Sequence, residues 1–238
     1  MHARTSARLA VIAVVALAPA WVLAQDAKKP IPPNPVGAGT WSQTVSRDAS
    51  ISGEEFDKKQ VELIQKVTDY FNQMTEIKGL FVQTGADNKR MRGKFYVKQP
   101  GRFRFDYNPP SRLLILSDGE WMAIQDLDMN TDDRVELDRT PFRLLLKKDV
   151  DLLRDAHITE VKEVDDVIVL GLRDRNPDNP GRIKLVLTRK PAVELKEWIT
   201  TDSQGLDTRV ELTEVNKTEQ LDPAMFKAKS LVFQKMNQ

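Results

Sequence analysis

Between Met91 and Ile124 the chain reads MRGKFYVKQPGRFRFDYNPPSRLLILSDGEWMAI, and its spacing leaves few folds open. Phe103, Phe105 and Tyr107 alternate with Arg102, Arg104, Asp106 and Asn108. A large ring at every second step is the pattern of a strand wet on one face. Upstream, Gly93, Phe95 and Val97 alternate with Arg92, Lys94, Tyr96 and Lys98, and Gln99-Pro100-Gly101 makes the turn between the two runs. Downstream, Asn108-Pro109-Pro110 breaks the chain, Leu113–Leu116 is apolar on both sides, and Asp118-Gly119 signals a hairpin. The stretch is an antiparallel meander with an aromatic face that something must cover.

The period of two continues on either side. Strands are expected at Ile77–Thr84, Met91–Lys98, Arg102–Asn108, Leu113–Ser117, Glu120–Gln125 and Asp133–Leu137. They resume at Ile158–Val164, Val167–Asp174, Arg182–Thr188, Val193–Thr201 and Asp207–Asn216, with a last one near Leu231–Gln234. Short strands joined by hairpins predict a single antiparallel sheet curled toward an incomplete barrel, a mainly β fold.

Two helical segments interrupt this pattern. Ser52-Gly53-Glu54-Glu55 reads as a capping box opening a helix whose stripe is Phe56, Leu63, Ile64, Val67, Tyr70, Phe71 and Met74. Midway, Thr140-Pro141 reads as an N-cap followed by Pro at the first helical position. Phe142, Leu144, Leu145, Leu146, Val150, Leu152 and Leu153 carry that segment to about Ala156. Both are natural covers for the aromatic face.

Arg4 and Arg8 precede the apolar run Leu9–Ala18, so residues 1–24 read as a secretory signal peptide. Its removal takes two of the 36 Lys and Arg and none of the 35 Asp and Glu, leaving a net charge of −1 and no field suited to nucleic acid. Residues 25–51, with Pro30, Pro32, Pro33, Pro35, Gly37 and Gly39, read as a flexible tether, and residues 52–238 as the folded domain. The chain has no cysteine, which excludes disulfides, thiol catalysis and a lipid on an N-terminal Cys of its own.

GKFYVKQPGRFRFDYNPP, then LILSDG, then TPFRLLL closely resembles the periplasmic outer-membrane lipoprotein carrier family, LolA, whose members typically read G-x-F/L-x-V-K-R-P-G-x-F-R-W-x-Y, then V/L-S-D-G, then T-P-F. The resemblance covers roughly residues 53–234. It implies a half-barrel with a helical lid over an apolar cavity, located in the periplasm. It also implies a monomer that takes lipoproteins by their acyl chains from an inner-membrane releasing transporter to an outer-membrane receptor, without a cofactor, a metal or catalysis. Candidate cavity residues are Phe103, Phe105, Tyr107, Leu114, Leu116, Trp121 and Met122 on the sheet, with Phe142, Leu145 and Leu146 from the lid. Each could equally be an ordinary core side chain.

The chain departs from the family pattern at Gln99, where most members carry Arg. The resemblance implies that this side chain latches the closed lid by bonding to its backbone, and Gln99 offers only neutral donors. Ala123 and Ile124 also make the strand after Asp118-Gly119 less aromatic than usual.

The other polar clusters point to no chemistry. His157 has no motif Ser to form a triad with. Asp126, Asp128, Asn130, Asp132 and Asp133 have the composition of a calcium loop but lack its Gly and final Glu, and read as a solvated hairpin. Arg173-Asp174-Arg175-Asn176 reads as a solvated turn. The alternatives to a carrier are a lipid-sensing module of the same architecture and, less well supported, an exported hydrolase.

Overall fold

The computed structural model describes residues 56–179, 181–217 and 220–229. The expected signal peptide, the tether, the Ser52–Glu55 capping box and the strand near Leu231–Gln234 lie outside them. The first helix, α1 (Lys58–Gln73), is capped instead by Asp57, whose carboxylate accepts from the Gln60 backbone amide while the Gln60 side-chain oxygen accepts from the Asp57 amide. Leu63, Ile64, Val67 and Phe71 recur at three and four, so one stripe of α1 is buried while Lys59, Glu62, Lys66 and Asp69 stay in water.

Eleven strands follow: β1 (Glu76–Thr84), β2 (Arg90–Lys98), β3 (Arg102–Tyr107), β4 (Leu113–Asp118), β5 (Trp121–Asp126), β6 (Thr131–Glu136), β7 (Ala156–Val164), β8 (Val167–Asp174), β9 (Arg182–Thr188), β10 (Glu194–Thr201) and β11 (Asp207–Lys217). Those expected between Ile77 and Asn216 are all present, with ends within two residues of expectation. They form one open antiparallel sheet in the order β6-β5-β4-β3-β2-β1-β11-β10-β9-β8-β7. The chain starts at the centre, steps outward hairpin by hairpin to β6, reappears at the opposite edge as β7 and steps back until β11 pairs with β1.

The crossing between the two edges is the lid. A short 3₁₀ turn at Leu137–Arg139 leads into α2 (Arg143–Leu146) and α3 (Leu152–Asp155). The continuous helix expected from Pro141 to about Ala156 is therefore two single turns. Lys147, Lys148, Asp149 and Asp151 interrupt the apolar run, and Asp151 caps α3 by accepting from the Arg154 amide. Thr140 does not cap α2; its hydroxyl donates back to the Leu137 carbonyl.

Register assigns the side chains to faces. Phe81, Gly93 and Tyr107 face one another across β1, β2 and β3, and the next rungs pair Phe95 with Phe105 and Val97 with Phe103, so these rings share the concave face. On β4 the partners of Phe105 and Phe103 are Ile115 and Ser117. Leu114 and Leu116 pair with Asp106 and Arg104 and so lie on the convex face. Trp121, on the same strand face as Ala123, is 41% exposed there. A second small core covers part of this face. The 3₁₀ turn Pro223–Phe226 packs against β3 and β4, with Phe226, Leu116 and Ala123 all buried. Arg104 donates to the Met225 carbonyl and Gln125 to that of Lys229, which ties the segment down.

Gly93 is required by this packing. A Cβ there would sit 2.0 Å from the Asp106 carbonyl oxygen and 2.6 Å from the Phe81 ring. Gly93→Val should therefore cost at least the ~1–3 kcal/mol of ordinary overpacking, lowering Tm by about 5 °C or more. A thermal melt followed by circular dichroism measures this, and an unchanged Tm would mean that Phe81 moves aside freely.

Candidate functional site

Under the lid lies a cavity of about 60 Å³, lined by Phe71 and Met74 of the α1 end, by Phe95, Val97, Phe103 and Phe105 of β2 and β3, and by Phe142, Leu145 and Leu146 of the lid. Ile77, Ile183, Leu185, Leu195, Trp198 and Leu212 complete its wall from β1 and the second half of the sheet. The rings form a connected set. Phe105 meets Phe81 edge-on at 5.1 Å and Trp198 at 6.0 Å, while Phe142 reaches Phe103 at 5.7 Å and Trp198 at 6.3 Å. Such contacts each contribute about 0.5–1.5 kcal/mol beyond burial. Phe142 thus spans from β3 to β10. The volume is far below the ~300–1,000 Å³ of small-molecule pockets.

Polar contacts hold the lid. The Gln99 side-chain amide donates to the Phe71 carbonyl (3.2 Å) and to the Leu145 carbonyl (3.1 Å), tying α1 and α2 to the β2–β3 turn. The Gly101 amide donates to the Leu146 carbonyl at 2.7 Å. Asn72 on α1 makes a two-way bond with the Val150 backbone, 2.9 Å in each direction. At the start of α2, Arg143 forks onto Asp174 of β8, whose carboxylate also accepts from Asn179 and the Asn176 amide. Burial works against charge on Asp174, yet Arg143, Asn179 and the Asn176 amide hold its carboxyl below the usual carboxylate range. Lys147 pairs with Asp155 between α2 and α3.

The family model described as outer membrane lipoprotein carrier protein LolA matches residues 72–229. The chain belongs to the LolA family. A protein named outer-membrane lipoprotein carrier protein from Halorhodospira halophila is 27% identical over 174 residues, 69% of this chain and 80% of that one. One of the same name from Legionella pneumophila is 26% identical over 185 residues, 76% of this chain and 87% of that one. A crystal structure of a LolA superfamily protein from Nitrosomonas europaea superposes with a TM-score of 0.39 at 12% identity, covering 69% of this chain and 97% of that one.

The LolA motifs bring some of the expected residues together and not others. Phe103, Phe105, Phe142, Leu145 and Leu146 line the cavity, and Gln99 bonds to lid backbone. Tyr107 lies deeper, its hydroxyl donating to Gln83 and its ring 4.9 Å from that of Phe81, and burial pushes that hydroxyl well above its ordinary range. Met122 faces the concave core without lining the cavity. Leu114, Leu116 and Trp121 do not reach it because the β3–β4 and β4–β5 registers turn them to the convex face. Sequence reasoning missed Trp198, Leu195, Ile183 and Leu185, although Ile183, Leu185 and Leu187 alternate as cleanly as the β3 rings. His157 is half-buried in β7. In the acidic hairpin, Asp126 accepts from the Asp128 and Met129 amides and Asp132 pairs with Arg134.

The side chain of Asp174 is 2% exposed, so its charge contributes stability in one pH window. Its folded pKa is depressed, so the contribution is complete above the unfolded value of about 3.9. It is lost as pH falls through the lower folded value. Asp174→Asn should melt lower at pH 7 and lose less Tm than wild type between pH 4 and pH 2. Parallel acid limbs for the two proteins would remove Asp174 from the acid response.

Proposed function

We propose that this protein is a periplasmic carrier that encloses the acyl chains of lipoproteins and takes them from an inner-membrane releasing transporter to an outer-membrane receptor. The observation that carries this reading is the cavity, walled by apolar side chains from both halves of the sheet and from a lid whose Leu145 and Leu146 carbonyls accept only neutral hydrogen bonds from Gln99 and Gly101. The family and the names of the relatives support the same role. Carriage of this kind needs no covalent step, and no enzymatic activity is proposed.

Magnitudes favour opening by cargo. The bonds from Gln99 and Gly101 to the lid and α1 are neutral, and such bonds contribute about 0.5–1.5 kcal/mol each. Burying a dozen methylenes returns about 10 kcal/mol. An acyl chain therefore offsets the loss of these three bonds at least about twofold. Phe142, Leu145 and Leu146 are the side chains that must move, and Gln99 is the latch.

Purification from the periplasm followed by mass spectrometry should recover acylated polypeptides; free lipid alone would refute the lipoprotein reading. Leu145→Glu should weaken binding of a fluorescent fatty acid by about tenfold or more while leaving the β-sheet circular dichroism unchanged. Undiminished binding by the folded variant would take α2 out of the site.

Gln99→Arg should strengthen the latch, because a charged donor contributes about 1 kcal/mol more than a neutral one. The open population should fall roughly fivefold, with slower probe uptake in stopped flow and a Tm higher by a degree or more. Equal uptake rates and equal melting would show that this side chain does not control the lid.

A further inference from the structure

A groove of about 370 Å³ runs between the C-terminal half of α1, the start of β10 and the end of β11. Met74 and Ile77, both buried, line this groove and also the apolar cavity, so the two spaces share a wall. One half of that wall is methionine, an unbranched side chain that shifts rotamer readily. On the groove side the lining changes character to Lys66, Asp69, Gln73, Glu194 and Lys217. An amphiphile with its chains in the cavity would find polar surroundings on the other side of this wall.

We propose that this groove receives the polar junction of the acylated cargo, the ester and amide carbonyls and first peptide units that join fatty chains to a polypeptide. The proposal rests on the carrier reading above and adds to it where the head of the cargo sits.

The charges select among heads. Glu194 pairs with Lys196, and Asp69 accepts from Gln65. Lys66 and Lys217 make no close ion pair among the described residues; the nearby Glu163, already paired with Lys59 and Arg189, interacts with Lys66 only through its charge. With two cations and two anions, the lining carries no net charge. A phosphate drawn by the lysines would be opposed by Asp69 and Glu194. Neutral carbonyls accept from both ammoniums without that conflict.

The test compares two probes with matched chains, a synthetic diacylated-cysteine lipopeptide and a pyrene-labelled alkane with no head. Wild type should bind the lipopeptide more tightly. The double variant Lys66→Ala, Lys217→Ala should bind it about tenfold more weakly, as expected for the loss of charged-donor hydrogen bonds, and bind the alkane unchanged. Val193→Trp, which narrows the groove from the turn before β10, should act in the same sense, and both variants are checked for folding by circular dichroism. Unchanged lipopeptide binding, or an equal loss for both probes, overturns the proposal while leaving the carrier reading in place. An anionic phospholipid that binds as tightly and loses as much in the lysine variant overturns it in favour of a phosphate site. Failure of wild type to bind either probe would sink the carrier reading, and this inference with it.

Discussion

An antiparallel sheet that curls without closing leaves a greasy hollow and, among the described residues, two edge strands, and the rest of this structure answers that constraint. The concave face carries Phe81, Phe95, Phe103, Phe105 and Trp198, and without cysteine the fold depends on covering them. The edge strand β6 reads Thr131-Asp132-Asp133-Arg134-Val135-Glu136, and charges of this kind discourage pairing with another chain. The segment that leaves β6 and enters β7 must cross the open mouth, so the connection and the cover are the same residues. A lid that connects the two edge strands is tethered at both ends.

Its two ends are held differently. Arg143 and Asp174 fix the start of α2 with a charged, forked and largely desolvated pair, and breaking such a pair leaves a buried charge behind. The other end of α2 is tied to the sheet by uncharged bonds from Gln99 and Gly101, while its Lys147 pairs with Asp155 within the lid. In the carrier reading proposed above, the stronger anchor would be the fixed point and the weaker one the moving side. Leu145 and Leu146, next to the weak bonds, are the lid residues best placed to lift first. Phe142 adjoins the strong one.

The strands were legible because period two survives wherever one face is wet, and the β1 to β3 rings declared their face by size alone. Leu113–Leu116 did not, because both sides of that strand are apolar and register alone separates Ile115 from Leu116. The reason for two apolar sides is the C-terminal segment around Phe226, more than a hundred residues away, which nothing local announces. The Trp198 side of the cavity was hidden for a similar reason: its alternation was visible, but not the β1–β11 pairing that brings it opposite Phe105. Asp174, read as part of a solvated turn, is buried against Arg143, a partner that spacing could not supply. Gln99 was legible only through its motif.

The order of the strands also bears on how the hollow comes into being. Nine of the ten neighbour pairs in the sheet are hairpins between consecutive strands, and the tenth, β1 with β11, joins Ile77 to Lys217 and Thr84 to Arg209. Hairpins close over short loops and form early; a seam between distant residues must wait for the whole chain to come round. Phe105 and Trp198 stand on opposite sides of that seam. Each meander could hold its own strands and still enclose nothing. The cavity is thus an interface between two halves of one molecule, absent from either half alone and lost as soon as the seam parts.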